Sequence, residues 1–277
     1  HVNVNVIPPA QVDVGSQMSV VLLAAATGNA PDVAIGSNTS LPVEFAIRGG
    51  VINLNQFPDY EEVVKQFRPG ALIPFRYTDK DGNVGDYALP ETQGFSMLFY
   101  RKDLLAQVGL TPPDTWTEVI QMLPTLQQFN MNFYYDSNPP GFTPILFQHG
   151  GDFYTEDGYF SALDTPEAYE AFRLWTSLFA QYRVPMEANF YNRMRDGELP
   201  IGVANYQTYV LLGTTAPELT GWWEMVPIPG VRQPDGTINR STGGGAEVAV
   251  IFSDTEYPEE SWELIKWWTS AEIQERY

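Results

Sequence analysis

Leu89-Pro-Glu-Thr-Gln-Gly-Phe-Ser-Met-Leu-Phe-Tyr-Arg-Lys-Asp-Leu-Leu-Ala-Gln-Val-Gly-Leu110, running on through Thr111-Pro-Pro-Asp-Thr-Trp116, decides how this chain is read. Phe95 to Tyr100 is apolar and aromatic, the pattern of a buried strand. Arg101-Lys-Asp103 is a charged break, and Leu104 to Val108 is a short amphipathic segment stopped by Gly109. After the Pro112-Pro113 pair, Thr115 can cap a helix that opens at Trp116 and reaches about Phe129.

The same alternation of strand and helix extends both ways. Upstream, Val2, Val4 and Val6 alternate with polar residues, which is strand periodicity, and Pro8-Pro9 ends the run. Ser16 can cap a helix through Met18, Val21, Leu22 and Ala25, stopped by Gly28-Asn29. Pro31 to Ile35 reads as a short buried strand, and Gly36-Ser-Asn-Thr-Ser40 as the loop at its carboxyl end. Ligands of open α/β sheets sit at such ends. A helix is expected over about Pro42 to Arg48, and a helical patch over Tyr60 to Gln66. Asp81-Gly82 is a hairpin turn between two β-prone runs. Asp79, Asp81 and Asn83 imitate the start of a calcium loop, but its later glycine and closing Glu are missing.

Downstream, Asn132 to Tyr135 and Thr143 to Gln148 are further elements, and Tyr154 to Ala162 reads as a small hairpin. Thr165-Pro-Glu opens a helix with Tyr169, Phe172, Trp175, Leu178, Phe179 and Tyr182 at helical spacing. Ile201 to Ala204 is a strand, Tyr206 to Leu212 a helix, and Trp222 to Ile228 a strand. Gly243 to Ile251 is a glycine-led strand, and Pro258-Glu-Glu-Ser-Trp262 begins a last helix. Trp175, Trp262 and Trp268 fall on amphipathic faces and are expected in the core. Regular alternation of strands and helices makes the fold class α/β.

Of the 277 residues, 44% are hydrophobic and 14% aromatic, enough for sizeable cores and for one large or two medium domains. Fifteen basic against 34 acidic residues leave a net charge of −19, which repels phosphate backbones and speaks against nucleic acid as partner. It suits a neutral or cationic ligand. The absence of cysteine excludes disulfides, thiolate metal sites and cysteine nucleophiles. No stretch approaches the roughly 20 apolar residues of a membrane span.

Four landmarks occur in order. They are Ala24-Ala-Ala-Thr-Gly-Asn-Ala-Pro-Asp-Val33, the Leu89 to Trp116 passage, Asp196-Gly-Glu-Leu-Pro-Ile-Gly-Val-Ala204, and Gly243 to Ile251 followed by Pro258 to Arg276. Each is a weak motif alone. Together they span nearly the whole chain and resemble the extracellular solute-binding proteins of ATP-driven (ABC) importers, in the sugar-binding branch that includes maltodextrin-binding proteins.

The resemblance implies a periplasmic-binding-protein-like fold of two α/β lobes, one holding 1–96 and 249–277 and the other 97–248. The chain would cross near Gly94–Met97 and Gly244–Ala249, with a ligand cleft between lobes that close by hinge motion. It also implies sequence beyond both ends, with a first strand before His1 and helices after Tyr277. The implied place of work is extracytoplasmic, either periplasmic or held on the outer face by a lipid anchor upstream of His1. The implied partners are a mono- or oligosaccharide and the importer's membrane permease, the protein itself being a monomer with no cofactor.

A sugar offers hydroxyls and apolar ring faces, so its site needs carboxylates, amides and aromatic rings. By family position these are Ser37, Asn38 and Thr39, then Glu91, Thr92 and Gln93 at the crossing. In the second lobe they are Phe142, Gln148, Tyr206, Gln207, Tyr209, Trp222 and Trp223, followed by Gly245 and Glu247. Of the adjacent tryptophans, Trp222 is expected to point outward. Tyr209 and Trp223 also fit a core role, and Glu91 a solvated loop.

Other readings are fewer in support. A glycoside-acting enzyme needs two carboxylates flanking one bond, and no pair stands out. His149 lacks the context of a catalytic triad, and Gly243–Gly245 lacks the Lys-Ser/Thr of a phosphate loop. The same fold could bind a polyamine through acids and aromatics, or Fe(III) through Tyr134-Tyr135. Alternating inward and outward rings is the simpler account of that pair. A sensor or scaffold remains open, because fold alone does not set function.

Overall fold

A computed structural model describes residues 30–276 together with Val4, Ala24 and Gly28. The strand expected at Val2–Val6 and the helix expected from Ser16 lie outside these residues, single positions apart. The chain divides into two compact units, 1–93 with 245–277, and 94–244. The crossings fall at 93/94 and 244/245, three to four residues from the expected 96/97 and 248/249.

The elements used below follow in chain order. They begin with β1 (Val33–Asn38), α1 (Leu41–Ile47), α2 (Tyr60–Val63), α3 (Pro69–Leu72), β2 (Arg76–Thr78), β3 (Val84–Asp86) and β4 (Leu89–Arg101). Next come α4 (Lys102–Gln107), α5 (Trp116–Gln128), β5 (Phe133–Tyr134), α6 (Pro139–Gln148), α7 (Pro166–Ala180), α8 (Phe190–Asp196) and β6 (Ile201–Asn205). The last are α9 (Thr208–Thr215), β7 (Trp223–Val226), β8 (Val231–Arg232), β9 (Ile238–Asn239), β10 (Gly244–Ile251), α10 (Pro258–Trp268) and α11 (Ala271–Gln274). None of the described helices is long and apolar enough to cross a membrane.

In the N-terminal unit β10 lies between β1 and β4. Its side chains alternate between two cores. Val248 and Val250 pack with Leu41, Phe45, Phe75 and Phe252, while Ala249 and Ile251 pack with Leu54, Phe57, Leu89 and Trp262. A strand covered on both faces reads as a continuous apolar run, which is why 248–251 shows no polar alternation. α10 begins with Pro258 and two acids in its first turn, favourable to its dipole. It presents Trp262, whose ring stacks on Phe57 at 4.7 Å and whose indole N–H donates to Asp59 at 2.7 Å. The expected hairpin is present as β2 and β3, and Asp79 accepts the N–H groups of Asp81 and Asn83 around its turn.

In the C-terminal unit the strand order is β5, β6, β4, β7, with β5 and β6 parallel and the other pairs antiparallel. β4 splits its side chains as β10 does. Leu98 and Tyr100 face the large core, and Phe99 the smaller one beneath α8 and α9. α5 starts as the sequence predicts, with a reciprocal capping box between Thr115 and Glu118.

Two boundaries among the candidate site residues differ from expectation. Gly36, Ser37 and Asn38 belong to β1 rather than to a loop, because β1 bulges between Ala34 and Ser37 and then resumes pairing with β10. The helix expected from Tyr206 starts only at Thr208. Tyr206 N–H donates to the Phe95 carbonyl, and Gln207 N–H to the Asn205 side chain, so both residues form the turn before it.

Candidate functional site

The candidate residues fall into two groups, one in each unit. In the C-terminal unit, β5 and β6 run parallel, so their carboxyl ends meet on one side. A cavity of about 410 Å³ opens there, lined by Ser96, Tyr134, Asp136, Tyr191, Asn205 and Thr208 among others. Such an end of a sheet is where α/β folds collect ligands. The geometry depends on two glycines. A Cβ on Gly141 would come within 2.1 Å of the Asp136 carbonyl, and one on Gly202 within 2.5 Å of Tyr134 Cβ. Asp136 is the one acid lining this cavity among the described residues. Its Oδ1 accepts from the N–H and the side-chain amide of Asn138, at 2.9 and 2.8 Å, which orients the carboxylate. Tyr191 shares a hydrogen bond with Thr215 at 2.6 Å. Burial, and then the charge of Asp136, push the Tyr134 phenol up.

Ser96 pairs with Asn205 across β4 and β6, and the residues next to them, Phe95 and Tyr206, begin a row of rings. Phe95 stacks on Tyr206 at 4.8 Å, and Tyr206 lies 4.8 Å from Tyr209. Phe95 and Tyr209 are 38% and 39% exposed, so the row is anchored yet accessible. Its apolar faces can stack a ring, and Asp136 and Asn205 at the cavity can hydrogen-bond polar substituents. Trp222 is exposed before β7, whereas Trp223 is half-buried with its ring 6.0 Å from Phe99. Gln207 is exposed in its turn.

Two expected site residues are core residues instead. Gln148 is fully buried. It accepts the Trp116 indole N–H at 2.7 Å and donates to the carbonyls of Pro229 and Ser241, both at 3.1 Å. Phe142 is buried among Phe153, Phe172 and Trp175. Gln148 has no exposed surface, and Phe142 keeps only a small one. The Tyr134-Tyr135 pair is likewise split. Both line the cavity, but Tyr135 is buried and its hydroxyl donates to the Gly141 carbonyl at 2.6 Å, whereas Tyr134 is half-buried. A second cavity, of about 240 Å³, lies under Gly109–Pro113. Its carboxylate, Glu118, is already engaged by the backbone N–H groups of Asp114 and Thr115.

In the N-terminal unit the remaining candidates gather at the ends of β1, β4 and β10. Most of them hold this rim together. Asn38 pairs with Glu247 in the ladder, and its side-chain oxygen accepts the N–H groups of Ser40 and Leu41 at the start of α1. Thr39 Oγ1 donates to the Ala246 carbonyl at 2.8 Å and accepts the Ala246 N–H at 3.0 Å. Thr92 Oγ1 accepts the Glu247 N–H at 3.3 Å. Glu91 is different. Its Oε1 accepts the Gly36 N–H at 2.9 Å, and its carboxyl is pushed up, mainly by burial and further by the charge of Glu247, with the Gly36 N–H and the Trp268 side chain acting the other way. Ser37 is half-buried, and Gln93, Gly245 and Glu247 are exposed on the same rim.

The sequence reading missed Tyr134, Asp136, Tyr191, Asn205 and Thr208 as a group. Asp136 and Asn205 each sit at the carboxyl end of a strand, which is the available signal, but it becomes decisive only once β5 is known to pair with β6.

The family model for bacterial extracellular solute-binding proteins matches residues 1–275. Among solved structures, the chain is similar to maltose-bound MalE3 of T. maritima, at 25% identity and a TM-score of 0.76, over 94% of this chain and 68% of that one. It is similar to the GacH receptor of Streptomyces glaucescens, solved unliganded and with acarbose, at 21% identity and a TM-score of 0.78, over 95% and 67%. It is also similar to the sugar-binding protein MalE of Xanthomonas citri, at 20% identity and a TM-score of 0.79, over 100% and 69%.

Proposed function

The chain belongs to the family of bacterial extracellular solute-binding proteins, and on that footing we propose that it captures a carbohydrate outside the cytoplasm for an ATP-driven importer. The observation that carries the reading is the cavity at the carboxyl ends of β5 and β6, together with the accessible row Phe95, Tyr206 and Tyr209 in the same unit. It combines a single carboxylate, an amide and hydroxyls with stacking faces. That is the donor and acceptor set a neutral polyhydroxylated ring requires. The maltose-bound relative supports the same ligand class. The single acid at this cavity supports binding over hydrolysis, which needs two carboxylates about the scissile bond.

The role assigned to each group follows. Asp136 and Asn205 hydrogen-bond ring hydroxyls, and Tyr206 with its neighbours supplies the stacking face. The permease reads the conformation that ligand favours, and ligand shifts that equilibrium only by its differential affinity for the two states. The protein works either free in the periplasm or held by a lipid anchor.

Thermal unfolding against mono- and oligosaccharides, polyamines and Fe(III) tests this directly, because a ligand that binds the folded state raises Tm. A rise with one sugar series supports the reading. A rise with polyamines alone overturns the ligand class, and a rise with Fe(III) alone overturns it too.

A further inference from the structure

Asp136 is held both at its main chain and at its side chain. Its backbone carbonyl accepts the Trp175 indole N–H at 3.2 Å, and its Oδ1 accepts both donors of Asn138. Among the described residues, no hydrogen bond or ion pair engages Oδ2. The carboxylate is therefore oriented, half-buried at the cavity, and has one oxygen unengaged.

No opposite charge balances it. Lys and Arg are absent from the described cavity lining. They are absent from the whole run Asp103 to Phe172, which supplies Tyr134 to Pro144 of that lining. The Arg195 guanidinium lies 5.7 Å over the ring of Tyr191, a lining residue, but it is paired with Glu218 at 2.7 Å. A helix N-terminus can supply positive character through free N–H groups. α6 starts close to Asp136, yet it opens on Pro139 and Pro140, which carry no N–H. The Gly141 N–H that follows donates to the Asn138 carbonyl at 2.8 Å. The cavity thus combines hydroxyls and an amide with one fixed negative charge that nothing in its lining offsets.

Resting on the carbohydrate reading above, we propose that Asp136 narrows the ligand class by charge. The cavity takes amino sugars, whose ammonium group meets Asp136 Oδ2, ahead of neutral sugars, and turns away uronic and other anionic sugars. An ammonium donates to a carboxylate through a charge-assisted hydrogen bond, roughly twice as strong as a bond between neutral groups. Hydroxyls still donate to Asp136, which places neutral sugars second. An anionic sugar meets repulsion in a half-buried place that salt screens poorly, with no cation to offset it.

Titration calorimetry with three sugars of one scaffold, glucose, glucosamine and glucuronate, tests the ranking, with the galactose trio measured beside it. The titrations run at about pH 6, with amines protonated and uronates ionised. The amino sugar is expected to bind about tenfold more tightly than the neutral one, and the uronate about tenfold more weakly. Asp136→Asn keeps the shape, removes the charge and should bring the three affinities together. A uronate that binds as tightly as the amino sugar, or a ranking unchanged in Asp136→Asn, overturns the proposal and leaves the carbohydrate reading standing. Should Asp136→Asn fail to fold, the native ranking decides alone.

If neither trio binds, amide NMR shifts with ethanolamine, ethylene glycol and glycolate decide. Salt at about 0.15 M screens the general attraction of a net charge of −19. Ethanolamine should shift the Asp136, Asn138 and Asn205 signals in the native protein and not in Asp136→Asn. That response, with no Tm rise for any saccharide, leaves the charge-selective cavity in place and overturns the carbohydrate reading. Equal responses to all three compounds, or none to any, overturn the proposal.

Discussion

Trp116 and Gln148, 32 positions apart, are joined by a hydrogen bond of 2.7 Å inside the C-terminal unit, and the same glutamine amide reaches the carbonyls of Pro229 and Ser241. One buried side chain thereby ties α5, α6 and the β8–β9 region together. Gln148→Leu leaves an indole N–H and two carbonyls short of a partner. Each lost partner costs about 1–3 kcal/mol. A net loss of roughly 3 kcal/mol corresponds to a fall in Tm of about 6–12 °C. Calorimetry checks this. The sugar affinity of the folded fraction should stay unchanged, since Gln148 has no exposed face.

Asp136 should behave in the opposite way. Asp136→Ala removes a charged acceptor from the cavity and should weaken sugar binding by about tenfold to a hundredfold, taking 1.5–3 kcal/mol for a hydrogen bond to a charged group. Titration calorimetry at neutral pH reads the loss. Unchanged affinity would show that the cavity is not where the ligand sits.

Tyr206 is the middle ring of the row that begins at Phe95 and ends at Tyr209. Tyr206→Ala removes the shared face, and the expected loss of affinity is about fivefold, in line with about 1 kcal/mol for an aromatic contact beyond its area. Tyr206→Phe should retain most of the binding if stacking is the dominant contribution. Ligand-induced quenching of tryptophan fluorescence offers a convenient readout.

Much of this architecture is legible along the chain, and the reasons are local. Thr115 and Glu118 make a capping box within four residues, and the apolar run 248–251 needs only its own pattern to read as a buried strand. The candidate site is less legible because its parts are brought together from afar. Asp136 and Asn205 meet only through the parallel pairing of β5 and β6. Gln148 ends α6 just ahead of Gly150-Gly151, a position as suitable for a ligand contact as for a core tie, and only its three partners decide. Gly36 has the composition of a loop, yet it sits in a strand that bulges and resumes.

Glu91 links stability to pH in a direction opposite to that of most surface acids. Burial is the chief cause that lifts its carboxyl above the ordinary range. A raised carboxyl pKa means that the folded state prefers the protonated form. The contribution is therefore complete below the unfolded-state value and is lost as pH rises through the folded-state value. Glu91→Gln is neutral at every pH. It should melt above the native protein at pH 8, with the difference closing toward pH 4. Thermal scans of the ligand-free pair across this range test the sign.

Both faces of β10 are apolar, with Val248 and Val250 on one side and Ala249 and Ile251 on the other. Hydropathy therefore cannot tell this strand which way to sit, because a slip by one residue would still bury apolar groups on each side. The polar rim removes that ambiguity. Thr39 grips both the N–H and the carbonyl of Ala246, and a shifted strand could not satisfy this double attachment. Thr39 thus acts as a molecular ratchet pawl for the alignment of the N-terminal sheet. Exchanging it for valine would keep the shape of the side chain and remove the safeguard against misthreaded, aggregation-prone chains.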